Sequence, residues 1–234
     1  MVYWFDFVYS PPGFYGKDIA IDVLSAVVVL LIGVFSFRNF FLDEDNKKHI
    51  YISLGYLLLG ASFIAKIITS LLSHNQELMR GSFTLFGDSV YSYTALPALG
   101  FLLYAFLTLF GFYMLYSLTS KERLTMNYVI IAYFILVSVF FSRFNYHLLY
   151  LSAMIFLVAV ARRYYLAYRK YGNSNTLFLA KSFGLIAVSQ LMFLFTYQSR
   201  ALYMAAEIIQ LLGYGALLFT FLRVLKHAGK KNKD

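Results

Sequence analysis

Long apolar runs, each closed by a short polar cluster, set the rhythm of this chain. Seven such runs occupy roughly 19–41, 50–73, 91–118, 125–142, 146–168, 176–197 and 202–225. About 20 apolar residues carry a helix across a hydrocarbon core of ~30 Å, and the runs have or approach that length. The pattern predicts an all-α fold: a polytopic seven-transmembrane helix bundle. The fourth run is the shortest. The third and fifth exceed what a crossing needs and are expected to tilt or project. Ser142-Arg143-Phe144-Asn145 is a brief polar break that suits a tight hairpin. Gly172 is expected to end the fifth helix, and Asn173-Ser174-Asn175 to cap the sixth.

Three parts follow from this pattern: an aromatic segment over 1–18, the bundle over 19–225, and a basic tail over 226–234. Residues 1–17 contain Pro11, Pro12 and Gly13 and lack a basic start followed by an apolar stretch, so no cleavable signal peptide is expected. Composition strengthens the membrane reading. The chain is 61% hydrophobic and 13% charged, against about half and about a quarter in ordinary soluble domains. Mean hydropathy is +0.68. The runs use up most of the 234 residues, leaving no room among them for a separate soluble catalytic domain. The absence of Cys excludes disulfides, thiolate metal sites and Cys nucleophiles.

The net charge of +9 takes its meaning from position. Fifteen of the 20 Lys and Arg residues fall on one side of the seven-run topology, from Arg38 to Lys233. Four, Lys17, Arg80, Arg143 and Arg200, fall on the other, and Lys66 lies within a run. Cytoplasmic loops carry the Lys and Arg excess, so the N-terminus is expected outside and the C-terminus in the cytoplasm of a cell membrane. The same charge suits contact with anionic lipid headgroups, and nucleic acid is not an expected partner. Aromatic residues make up 20% of the chain. Many sit at interfaces, including Trp4 and Tyr9 outside and Tyr164, Tyr165, Tyr168 and Tyr171 inside, as an aromatic belt would place them. A lid folded across the bundle mouth is the alternative for the N-terminal group.

Ionisable side chains inside spans are costly and tend to be functional. Three stand out: Asp22, Lys66 and Glu207. At 1.5 Å per residue, Asp22 lies about 6 Å below the outer end of its helix, Lys66 about 10 Å below Ser73 and Glu207 about 6 Å below Tyr203. Ser62, Lys66 and Ser70 share one helical stripe, and so do Glu207, Gln210 and Tyr214. Gln190 falls at a comparable depth in the sixth run. Pro97 is expected to kink the third helix and free the carbonyl of Tyr93, with Gly100 open to a close neighbour. These residues predict an outward-facing pocket lined by Asp22, Lys66, Tyr93, Gln190, Glu207 and Gln210. A buried ion pair that only fixes helix packing is the competing reading. The glycines Gly33, Gly55, Gly60, Gly111, Gly184, Gly213 and Gly215 are expected to allow close helix packing. The four His residues lie in loops or at span ends without metal-ligand spacing, so no metal and no cofactor is expected.

Several functions are excluded by particular positions. A retinal protein needs a mid-membrane Lys in its last span, where this chain has Gly213-Tyr214-Gly215-Ala216-Leu217-Leu218. The Pro-Gln signature of seven-span sugar transporters is absent, and Pro97 has no counterpart in the last run. No Ser/His pair, paired acids or zinc motif suits an intramembrane protease, and no enzyme activity is expected. The last run, Glu207-Ile208-Ile209-Gln210-Leu211-Leu212-Gly213-Tyr214, together with the topology and the aromatic outer end, resembles the seven-transmembrane input modules of prokaryotic membrane sensors. That resemblance implies a receptor-like bundle. Such modules usually continue into a signalling domain, whereas this sequence stops at Asp234, so a cytoplasmic or membrane signalling partner is implied. Three readings stand at this point: a sensor for a small or amphipathic ligand, a small transporter or channel subunit, and a structural subunit of a membrane complex.

Overall fold

In an apolar chain every buried peptide group must find a partner within the protein, and a helix provides one from its own backbone. The computed structural model describes residues 16–42, 48–80, 90–119, 125–142, 145–196 and 199–231, and all regular structure among them is helical. Seven helices follow in order: α1 Lys17–Leu42, α2 Lys48–Arg80, α3 Val90–Thr119, α4 Thr125–Ser142, α5 His147–Tyr171, α6 Ser174–Leu194 and α7 Arg200–Lys231. Six contain a stretch long and apolar enough to cross a membrane, from Lys17–Arg38 in α1 to Ala201–Val224 in α7. Among the described residues α4 contributes a shorter apolar stretch, Ile131–Ser142. The expected basic tail is partly absorbed into α7, which continues to Lys231. Residues 1–15 of the aromatic segment over 1–18, on which the belt and lid alternatives rest, lie outside the described residues.

Helix ends agree with their local sequence. Gly172 adopts φ +67° and donates its N–H to the carbonyl of Tyr168 at 2.8 Å, ending α5. This left-handed conformation is open to glycine at little cost. Asn173 then caps α6, its side chain accepting the Asn175 N–H at 3.0 Å. Between α4 and α5, Asn145 Oδ1 accepts the backbone N–H of His147 at 3.1 Å and starts the return helix.

Side-chain pairs give the direction of each helix. Along the α1–α2 seam, Asp22 meets Lys66 and Leu30 lies against Gly60. Further along, Gly33 lies against Leu57 and accepts a bond from Ser53, so the two helices run antiparallel. From α2 to α3, Thr69 meets Gly100 and Gly55 meets Gly111, again antiparallel. Tyr113 packs against Phe156, and Tyr116 takes a 3.4 Å bond from Arg163, so α3 and α5 run parallel. Between these two, α4 runs the other way: Ser138 pairs with Ser152 at 3.1 Å and Phe134 with Phe156. Tyr150–Phe193 and Tyr164–Phe183 stacks make α5 and α6 antiparallel. Phe193–Tyr203 and Phe178–Arg223 do the same for α6 and α7.

The helices form a ring in chain order, closed by contact between α7 and α1. Because α3 also touches α5, α4 packs outside that seam. The core runs down the ring through Leu59, Phe101, Leu109, Phe112, Leu157, Ile186 and Leu217. Glycine sets the tightest seam. A Cβ on Gly111 would lie 2.8 Å from Leu59 Cγ and 3.0 Å from the Gly55 carbonyl oxygen, so α2 and α3 meet backbone to backbone. Gly33, Gly60 and Gly213 also face close neighbours. Gly184 and Gly215 do not: an added Cβ there meets nothing within 4 Å, which corrects the expectation for those two. A Gly111→Val variant should lose about 1–3 kcal/mol through overpacking, whereas Gly184→Ala should change stability by less than about 0.5 kcal/mol. Thermal unfolding in one detergent measures both.

Candidate functional site

Three helices from opposite ends of the chain meet at one ammonium group. Lys66 Nζ of α2 donates to Asp22 Oδ1 of α1 at 2.9 Å and to Glu207 Oε1 of α7 at 2.8 Å. Relative exposure is 4% for Lys66 and 1% for each carboxylate, so little water screens the contacts. Charge-assisted bonds of this length are among the stronger hydrogen bonds in proteins. The antiparallel seam places Lys66 level with Asp22, and closure of the ring brings α7 alongside. Asp22, Lys66 and Glu207, predicted to lie at one depth, are thus in direct contact. The contacts establish an ion triad.

Four buried tyrosines surround the triad. Tyr104 of α3, Tyr150 of α5, and Tyr203 and Tyr214 of α7 all lie within electrostatic range of Lys66. The Tyr214 hydroxyl is in hydrogen-bonding reach of Gln210, and Phe63 packs edge-to-face on its ring at 5.5 Å. That pair lies beneath Lys66 and Glu207, Phe63 just under one turn from Lys66 and Tyr214 about two turns from Glu207. Gln210 is therefore buried on the triad's own helix, with Tyr214 as its neighbour.

Gln190 is also buried, and the α6–α7 register sets it level with Glu207, between the Phe193–Tyr203 and Ile186–Gly213 pairs. Its hydrogen bond turns elsewhere: Nε2 donates to Ser189 Oγ on its own helix at 3.4 Å. Tyr93 and Pro97 fall in the opening turns of α3, where side chains lie outside those described. Gly100 does receive a close neighbour, Thr69 of α2. The Ser62–Lys66–Ser70 stripe faces inward throughout, with Ser62 Oγ donating to the Leu59 carbonyl at 2.7 Å.

Three buried side chains were not foreseen from the sequence: Asp18, Tyr104 and Tyr150. Asp18, one turn before Asp22, is 1% exposed and close enough to interact electrostatically with it. Its i, i+4 relation to Asp22 is the signal that could have found it. Tyr104 and Tyr150 were hidden because an aromatic residue within an apolar run looks like core. Among the described residues, no group of three or more His, Cys, Asp or Glu side chains could hold a metal ion. No family model, curated protein or solved structure matches the chain.

Removing one partner of a buried ion cluster leaves the others uncompensated, whereas neutral replacement of the whole cluster is often tolerated. Lys66→Met should therefore cost about 3–5 kcal/mol of stability. The triple variant Asp22→Asn, Lys66→Met, Glu207→Gln should recover most of that loss. Unfolding midpoints in detergent for the single and triple variants compare the two directly.

Proposed function

We propose that this chain is a seven-span cell-membrane protein, N-terminus outside and C-terminus cytoplasmic, acting as a non-enzymatic, receptor-like sensor for a small or amphipathic ligand. Its response centre is the Asp22–Lys66–Glu207 triad. The observation that carries this reading is the double contact of Lys66, which clasps the first and last helices through the second. Such a clasp has discrete alternatives: charge delivered to one carboxylate weakens its hold on Lys66 and leaves the other contact intact. Switches of this kind couple a local charge change to a helix shift.

The seventh crossing is supported by direction. Because α3 and α5 run parallel, the chain between them must return across the bundle, and α4 runs antiparallel to α5 along that return. Its 18 residues extend about 27 Å. Orientation is supported by the Lys and Arg excess at the end of the bundle holding Arg38, Arg162, Arg169, Lys170 and Arg223. This face suits anionic headgroups and a signalling partner. A sensor is favoured over a transporter because, among the described residues, every buried charged side chain lies toward the opposite end. The resemblance of the last span to sensor input modules points the same way.

The Cys-free sequence makes single-cysteine mapping direct. Lys17→Cys and Asn145→Cys should both react with an impermeant maleimide on intact cells, and Asn173→Cys only after permeabilisation. Labelling of Lys17→Cys and Asn145→Cys from opposite sides would remove the α4 crossing. Proteoliposomes should leak protons and sodium no faster than protein-free vesicles; faster flux would favour a transporter. Spin labels at Lys17→Cys and Ser199→Cys should show a longer, broader distance distribution when Lys66→Met is added. An unchanged distribution in a folded variant would sink the clasp as a switch.

A further inference from the structure

One helical turn beyond the triad, two buried oxygen atoms have no hydrogen-bond partner among the described residues: Asp18 Oδ1 and Ser70 Oγ. Asp18 is 1% exposed and Ser70 5%. Such groups are rare in folded proteins, and a bound water or ion is one reason for them. The α1–α2 seam shows that these two belong together. Asp18 lies four residues before Asp22 on α1, and Ser70 lies four after Lys66 on α2. The helices run antiparallel and Asp22 contacts Lys66, so the same register sets Asp18 opposite Ser70. The hydroxyl of Ser70 could have satisfied Asp18 directly, yet neither bonds the other. The register sets the two residues opposite each other, each with an oxygen that lacks a partner among the described residues.

Charge decides between water and ion. Asp18, Asp22 and Glu207 bring three carboxylates, and Lys66 brings one ammonium already shared by two of them. Asp22 stands next to Asp18 on α1, Lys66 is the facing charge on α2, and Tyr203 stands on α7 one turn before Glu207. The excess is negative, in a setting where uncompensated charge is expensive. A carboxylate and a hydroxyl are hard oxygen donors, suited to hard cations. A divalent ion draws on more protein carboxylate than one free Asp, and no three-ligand metal group is formed among the described residues. We propose that Asp18 and Ser70 hold a hard monovalent cation of the sodium type, with water completing its shell, one turn outside the Asp22–Lys66–Glu207 triad. A cation there offsets the excess charge beside Asp22 and biases how tightly Asp22 holds Lys66. This site does not depend on the sensor reading: vesicle flux tests that reading, and equilibrium titration tests this one.

The experiment is a sodium chloride titration of the purified full-length chain in nanodiscs, with N-methyl-D-glucamine chloride holding ionic strength constant. Thermal unfolding midpoint and sodium-23 line broadening are the readouts. The wild-type midpoint should rise saturably with sodium, and line broadening should follow the same curve. Ser70→Ala should raise the half-saturating concentration about tenfold, as loss of one contact to a charged group would. Asp18→Asn should abolish both responses while keeping or raising the sodium-free midpoint, because it removes the unpaired charge. If Asp18→Asn fails to fold, the Ser70→Ala shift still decides. No sodium dependence in the wild type up to about half-molar, or a dependence on pH alone, would overturn the proposal in favour of water or a proton. A response unchanged in Asp18→Asn or Ser70→Ala would overturn it by placing the cation elsewhere.

Discussion

A lysine ammonium buried among apolar helices has no tolerable state without a counter-charge, and this constraint organises one end of the bundle. Lys66 meets it twice, through Asp22 and Glu207. Those partners come from the first and last helices, so the ammonium compensates charge and also closes the ring. In lipid, packing alone separates one helix arrangement from another only weakly, because tails and side chains are equally apolar. A contact that costs several kcal/mol to leave unmade discriminates far better. The triad fixes both the neighbour of α1 and the axial register of α7 against α2. Everything at that end, including the level of Tyr203 and the facing of Asp18 with Ser70, inherits this register.

The opposite half of the bundle is held by different physics. There the helices meet through Leu109, Phe112, Leu157 and Leu217, and through glycines that let backbones approach, as at Gly55 and Gly111. Two buried hydroxyls in this half answer backbone carbonyls: Thr220 donates to Ala216 of its own helix at 2.8 Å, and Ser53 donates across the seam to Gly33 of α1 at 2.9 Å. Basic side chains at the rim settle on rings, Arg163 over Tyr116 and Arg223 over Phe178. That contact suits a cation at a water boundary. The bundle is thus close-packed through apolar side chains and glycines at one end and charge-locked at the other.

Much of this was legible because charge and periodicity survive translation into three dimensions. Lys66, Asp22 and Glu207 could be placed at one depth by counting residues from span ends, and the Ser62–Lys66–Ser70 stripe followed from helical spacing. The α4 boundaries and the Gly172 ending agree with their local signals. What stayed hidden depends on which face meets which helix. Gly184 and Gly111 look alike in a sequence, yet only Gly111 faces a backbone. Asp18 stands in a first turn, where an acid ordinarily complements the helix dipole, and nothing in that local signal marks it as buried. Tyr104 and Tyr150 look like core until the ring brings them to Lys66.

The charge count also bears on what kind of ligand fits. A free Lys66 would invite an anion, but an ammonium with two carboxylates at 2.8 and 2.9 Å has no net attraction left to offer. With Asp18 included, the buried side chains at this end carry more negative than positive formal charge. An anion arriving there would have to displace a carboxylate and leave it unpaired in an apolar setting. A cation relieves the imbalance without breaking a contact. The same Lys66 that marks the site in the sequence is therefore not its recruiting charge. It is the internal counter-ion, and the recruiting charge is the carboxylate left over.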